Sequence, residues 1–275
     1  MKVELTLLQP EVWRSYVTSS FQGRWVKLGF CFLIKDGLSQ LSLWERFLAP
    51  ASPGAFGIYV HAKTPSPSPV LEGSCVDPSP LATAWGEKSL VAATERLFAA
   101  AMDDGCDAMV LLSGDMLPLQ PFDWIRVFCE QTRVSVQPGQ GLNQRQRLAN
   151  AERFAELAPY FGLPSERLRK QNMFFVIQRN AASRISALAS LEEFPLQRLA
   201  DEYYWINHLI GFGLEWQPSN VVFCNPDPTR TQALSMRLTP DLLSSSRASG
   251  FGFIRKITSI DAQALEHLEA IYDSA

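Results

Sequence analysis

Five cysteines are an odd number, and no two of them share a CxxC or CxxxC spacing. Cys31, Cys75, Cys106, Cys129 and Cys224 therefore argue against both a disulfide framework and a zinc site, and they read as free thiols in a reducing compartment. Three histidines, His61, His208 and His267, leave a Ser-His-Asp triad unprompted, and no GxSxG elbow accompanies them. No GxGxxG follows the first apolar strand and no GxxxxGK(S/T) occurs anywhere, which removes the main support for dinucleotide and P-loop readings. Basic residues are not in excess. The net charge of −3 points to neither a nucleic-acid surface nor charge-driven membrane binding. No apolar run approaches the roughly 20 residues that cross a bilayer. The start, MKVELTLLQPEVW, lacks the basic-then-apolar pattern of a signal peptide. The expectation is a soluble, cytoplasmic protein with no nucleic-acid partner and no integral membrane segment.

What is present is ordinary globular material, 47% hydrophobic over 275 residues, enough for one large domain. Arg24 to Ile34 is a short apolar run rich in aromatic and β-branched residues that stops at Lys35-Asp36-Gly37, so it reads as a buried strand. Leu38 to Leu48 carries apolar residues at helical spacing, and Ala55 to His61 is a second strand. Pro and Ser dominate Thr64 to Pro80, which reads as an exposed loop. Lys88 to Met102 is the clearest helix, followed by the strand Met109 to Leu112. This alternation predicts an α/β fold with a mainly parallel sheet flanked by helices in a single compact domain. In such sheets ligands sit beyond the carboxyl ends of the strands, where Phe32 to Asp36, His61 and Asp115 fall.

The second half is more mixed. Gln137 to Arg147 reads as a polar, mobile loop; Ala149 to Tyr160, Ala181 to Leu191 and Ala200 to Ile210 read as helical. Asn172 to Gln178, Asn220 to Cys224 and Gly252 to Ile257 read as strands, and Asp261 caps a last helix reaching Ile271.

Three stretches carry candidate chemistry. In AMVLLSGDMLPL an apolar strand ends at one carboxylate, Asp115, where many sugar-transferring enzymes place an Asp-x-Asp pair for a metal. In LADEYYWINHL two adjacent carboxylates, Asp201 and Glu202, precede aromatic residues that can dry a carboxyl group and raise its pKa toward that of a general base. The alternative is that Asp201 caps the helix and Glu202 favours its first turn. In GFGFIRKI, Arg255 and Lys256 lie in a strand-like run, so only one should face a site, either to hold a phosphate or as an edge-strand charge. Arg169 and Lys170 precede another apolar run with the same ambiguity, and Arg230 sits in a proline-shaped loop, to meet a phosphate or water.

Taken in order from about Leu28 to Leu268, the segments LGFCFLI, LSLWERFL, FGIYVHAK, AWGEKSLVAATERLF, MVLLSGDMLPL, LRKQNMFFVIQR, ADEYYWINHL and FGFIRKI resemble the core-2/I-branching β-1,6-N-acetylglucosaminyltransferase family, glycosyltransferase family 14, in its plant and bacterial branch. The resemblance implies a GT-A-like nucleotide-binding sandwich. Residues 1–23 would be an N-terminal extension and 24–275 the glycosyltransferase domain, with a nucleotide-binding half at 24–135 and an acceptor and catalytic half at 136–275. It implies inverting transfer of a sugar, GlcNAc or xylose foremost and glucuronic acid also within the family, from a UDP-sugar to a hydroxyl of a glycan or glycolipid acceptor, as in polysaccharide biosynthesis. It implies no cofactor and no metal, the charge of the leaving diphosphate being met by basic side chains.

Carried across by residue, the resemblance makes Glu202 the catalytic base and puts Lys256 on the diphosphate with Arg230, or failing that Arg237. It puts Phe32, His61, Trp85 and Asp115 at the nucleotide-sugar and Arg169 and Lys170 at the acceptor. The chain departs from the pattern at RKQNMF, where the plant motif reads Gly-Ser-Gln-Trp after the basic pair, and at His61, where animal members have an aspartate. Two other readings remain: a catalytically silent sugar-nucleotide or glycan-binding module of the same fold, and an unrelated α/β hydrolase or methyltransferase.

Overall fold

The computed structural model describes residues 26–64, 66–137, 144–225 and 234–274. The first apolar run forms β1 (Leu28–Ile34), wholly buried but for Leu33, and so must be covered on both faces. It pairs in parallel with β2 (Phe56–Ala62), which pairs in parallel with the two-residue β3 (Cys75–Val76). The loop expected over Thr64 to Pro80 thus also supplies an edge strand. On the other side β1 pairs in parallel with β4 (Ala108–Ser113). The intervening helices are α1 (Leu41–Leu48) and α2 (Lys88–Asp103), whose apolar faces cover the sheet.

Beyond β4 the chain adds β5 (Leu117–Pro118), α3 (Phe122–Phe128), β6 (Arg133–Val136), α4 (Gln144–Phe161), β7 (Gln171–Gln178), α5 (Arg179–Leu188), a 3-10 turn at Ala200–Glu202, and α6 (Tyr204–Gly211). Then follow β8 (Gln217–Pro218), β9 (Val222–Cys224), β10 (Met236–Leu238), α7 (Pro240–Ala248), β11 (Phe253–Arg255), β12 (Ile257–Ile260) and α8 (Ala262–Asp273). The large sheet runs β3-β2-β1-β4-β7-β6-β8, with β7 antiparallel to both its neighbours. The expected mainly parallel sheet flanked by helices is what forms. It draws strands from both halves of the chain.

Several expectations change in detail. Gln144–Arg147 belongs to α4 rather than to a loop, because the helix begins well before its first buried residue, Leu157. The strand expected over Gly252 to Ile257 is two strands, which part at Lys256. Asp261 occupies the N-cap of α8 by its backbone, but its carboxylate makes no cap bond and pairs instead with Arg237. Helices α3 and α7 and strand β6 went unanticipated. Each is short, and each gains its stability from burial: Phe122, Ile125, Leu243 and Val134 are all in the core.

The core has two aromatic clusters, one on each side of the sheet. Phe30, Phe32, Trp44, Phe47, Phe122 and Tyr272 pack edge-on or tilted under α1 and α8. Phe98, Phe175, Trp205, Tyr204 and Phe194 pack between α2, β7 and α6. Each such burial contributes about 1.5–3 kcal/mol before ordering costs. The first cluster fixes the turn after β4, and the second fixes the turn before α6. No helix among the described residues is long and apolar enough to cross a membrane.

Candidate active site

The turn after β4 is held from three directions. Trp44 Nε1 donates to the Met116 carbonyl at 2.9 Å. The Ser39 backbone N–H and hydroxyl both donate to the Gly114 carbonyl, at 2.8 and 2.9 Å. A Cβ on Gly114 would lie 2.6 Å from the Gly37 carbonyl oxygen, so this close approach requires glycine. The pinned turn presents Asp115, half-buried, with Oδ1 accepting the Ser113 hydroxyl and Oδ2 3.5 Å from Arg255 Nη2.

Strand β11 delivers the positive charge. It lies between β5 and β9, in register with Cys224 at its end. Arg255 places its guanidinium carbon 4.5 Å from the centroid of the Phe174 ring, and its Nε is buried without a hydrogen-bond partner among the described residues. Lys256 falls between β11 and β12. Strand alternation therefore does not force it away from Arg255, as the sequence had suggested. Burial pushes the Cys224 thiol up, while the charges of Arg255 and Lys256 pull the other way and Asp115 adds to the rise. All three charged groups thus act on one sulfur. Lys256 is half-buried and forms no ion pair among the described residues.

The second group is built on the Ala200–Glu202 turn. Leu199 enters it with φ +58°, a left-handed conformation costly for a branched side chain, and donates its N–H to the Gly86 carbonyl. Tyr203, Tyr204 and Trp205 then bury completely and lock the turn from its far side. Asp201 points inward and is only 8% exposed, with Oδ1 unpartnered among the described residues. Glu202 is half-buried, and its Oε2 lies 2.9 Å from Lys170 Nζ, an ion pair outside good hydrogen-bonding alignment. Burial raises a carboxyl pKa in this turn, that of Asp201. Burial first, and then the charge of Glu202, push it up to about 7, against the pull of Lys170 and of backbone N–H groups.

The remaining candidates disperse. Trp85 is 59% exposed, on the segment clamped to Leu199 through Gly86 and through a Glu87–Arg198 bridge, and so stands beside the carboxylate turn. His61 is buried at the end of β2; burial lowers its pKa, and Nε2 accepts the Leu81 N–H at 2.9 Å, which ties down the loop. Phe32 is fully buried edge-on to Trp44, 5.0 Å between centroids, and belongs to the core. Arg169 spends Nη1 on the carbonyls of Glu166 and Leu168, while Asn207 clamps its backbone. Arg237 pairs with Asp261. Arg230 lies outside the described residues.

One segment links the two groups. Lys170, which pairs with Glu202, and Phe174, which underlies Arg255, are four residues apart along the start of β7. Their Cα atoms are at most about 14 Å apart at the rise of an extended chain. The carboxylate turn and the cation pair thus share one support, the segment that opens β7. Sequence reasoning did not expect Arg255 and Lys256 to act on one group, because it assigned the pair to opposite strand faces. It also missed Phe174 and Cys224, which carry no local signal of their own.

A model of the Core-2/I-branching enzyme family matches residues 28–209. Asp115, Lys170 and Glu202 fall within the match; Cys224, Arg255 and Lys256 lie beyond it. No curated protein matches the chain. Among solved structures the chain is similar to a mannose-1-phosphate geranyltransferase from Thermus thermophilus, with 13% identity over 76% of this chain and 84% of that one. The TM-score is 0.29, too low for that likeness to bear on function.

Proposed function

The chain belongs to the Core-2/I-branching enzyme family, a family of glycosyltransferases, and from that premise we propose that it moves a sugar from a UDP-sugar to a glycan or glycolipid hydroxyl by inverting, metal-independent displacement. Glu202 takes the proton of the acceptor hydroxyl as its oxygen attacks the anomeric carbon. The bond from that carbon to the UDP oxygen breaks on the opposite face, so configuration inverts. Lys256 and Arg255 receive the charge that develops on the diphosphate. The donor sugar is GlcNAc or xylose, and the chemistry runs without a cofactor.

The observation that carries this reading is the convergence of Arg255, Lys256 and the single carboxylate Asp115 at the carboxyl end of β4. A lone carboxylate beside two cations supports anion binding by side chains, because preorganised cations stabilise a leaving diphosphate as a metal would. Arg255 joins Lys256 in this proposal; Arg237 is engaged by Asp261, and Arg230 lies outside the described residues. Trp85, exposed beside the carboxylate turn, offers a face to the sugar nucleotide, and Lys170 orients Glu202 toward the acceptor. Residues 24–135 and 136–275 then share the donor site, the first supplying Asp115 and the second both cations. The test is turnover: UDP release from UDP-GlcNAc or UDP-xylose in excess EDTA supports the reading, and activity that vanishes in EDTA and returns with Mn²⁺ contradicts the metal-free step.

A further inference from the structure

Asp201 is the one group of the carboxylate turn that the proposed reaction leaves idle. It is 8% exposed, its Oδ1 has no partner among the described residues, and its neighbour in sequence is Glu202. Among the described residues one cation serves both carboxylates. Lys170 stands 2.9 Å from Glu202 and also acts on Asp201. The other charged or titratable groups around the turn are already engaged. On α2, Glu95 accepts the Tyr204 hydroxyl at 2.9 Å. On α6, His208 is held neutral by burial, its Nδ1 2.8 Å from the Tyr204 carbonyl. On α4, Arg153 is directed to the Tyr203 hydroxyl. The turn is entered through the left-handed Leu199, whose N–H donates to the Gly86 carbonyl, so the backbone carrying the two carboxylates is held in place.

We propose that Asp201 is a positioning residue for the transfer, forming with Glu202 and Lys170 a unit of two carboxylates and one cation that accepts a single proton. The inference rests on the reading of Glu202 as the base. At pH values where both carboxylates are ionised, the negative charge of Asp201 opposes that of Glu202. As the acceptor O–H breaks, the proton passes to a Glu202 carboxylate oxygen. The repulsion is relieved, and Lys170 retains Asp201 as its counter-charge. The proton then leaves Glu202 for water, and the unit is restored. Burial of Asp201 keeps water from screening the interaction; its pKa is raised by that burial first and by the charge of Glu202 second. The pair titrates as a unit rather than as two independent groups.

The test is a carbon-13 NMR titration of the side-chain carboxylates in the full chain, wild type against Glu202→Gln, with the Asp201 signal assigned through its backbone. Removing the Glu202 charge is expected to lower the Asp201 midpoint by about one pH unit. An unmoved midpoint would overturn the proposal. Turnover supplies the second arm. In Asp201→Asn the rising limb of the pH–rate profile is expected to shift to lower pH and the plateau to fall several-fold, the share of the lost basicity expressed in the transition state. A lower plateau with the limb unmoved would mean that Asp201 only supports the fold. UDP calorimetry separates the two readings. If wild type binds no UDP, the donor-site reading fails, while the titration still decides whether the two carboxylates are coupled.

Discussion

Lys170 Nζ stands 2.9 Å from Glu202 Oε2 at the junction of β7 and the carboxylate turn. The lysine pairs with the carboxylate, and the partial exposure of both leaves room for an acceptor hydroxyl. Glu202→Gln keeps the shape and removes the basicity. We expect kcat to fall by about 10²–10⁴-fold, the usual contribution of a positioned general base, with UDP affinity unchanged by calorimetry. A fall in UDP affinity of the same size would place Glu202 on the donor instead.

Arg255 and Arg237 make a matched pair of substitutions. Arg255 sits on Phe174 beside Asp115, whereas Arg237 is paired with Asp261 at the start of α8. Arg255→Ala is expected to weaken UDP binding at least tenfold, and Arg237→Ala to leave it within a factor of two. Isothermal titration of UDP into the two variants checks this directly.

Gly114→Ala tests whether the turn after β4 must approach Gly37 so closely. The added methyl would sit 2.6 Å from a backbone oxygen, so the turn has to move. Overpacking of this kind costs about 1–3 kcal/mol. We expect a lower Tm together with weaker UDP binding, because the same turn carries Asp115. A melt and a UDP titration on one sample decide the matter.

Acid stability should show two opposed contributions. Burial lowers the His208 pKa to about 4, so its share of the stability is present above the ordinary histidine range near 6.5 and is lost as pH falls toward 4. Asp201 is raised to about 7, so the folded state holds its proton where the unfolded chain has released it, and stability is lost as pH rises from about 4 to 7. Between pH 4 and 6.5 the two offset. Relative to wild type, Asp201→Asn should make stability climb with pH by about 1.4 kcal/mol per unit in that window. Denaturant melts at pH 4.5, 5.5 and 6.5 measure the difference.

Trp85 is expected to be nearly neutral for stability and costly for function. Substitution of a mostly exposed surface side chain changes stability within about ±0.5 kcal/mol. Trp85→Ala should therefore melt with wild type while raising KM for the UDP-sugar. An unchanged KM would remove Trp85 from the site.

The first half of the fold was legible because its strands are continuous apolar runs and its helices carry clean stripes. β1, β2, β4 and α2 fall within a few residues of where the sequence puts them. The short elements were hidden: α3, α7 and β6 form on tertiary contacts that no local pattern announces. The site was legible in parts. Asp115, Glu202 and the Arg255-Lys256 pair stand out in sequence as charges interrupting apolar runs. What the chain could not say is how they meet. The Lys170–Glu202 pair joins residues 32 apart, and Arg255–Asp115 joins residues 140 apart. The side-chain environments of Phe32 and Arg169 were likewise invisible: packing against Trp44 takes the first, and neighbouring carbonyls take the second.

The most direct test of a metal-free donor site is a calorimetric titration of UDP in excess EDTA, wild type against Lys256→Ala. Wild type is expected to bind UDP without metal and the variant to lose at least tenfold in affinity, because Lys256 would meet the diphosphate with no competing ion pair among the described residues. Equal affinity in the two proteins, or binding by wild type only when Mn²⁺ is restored, would contradict that site.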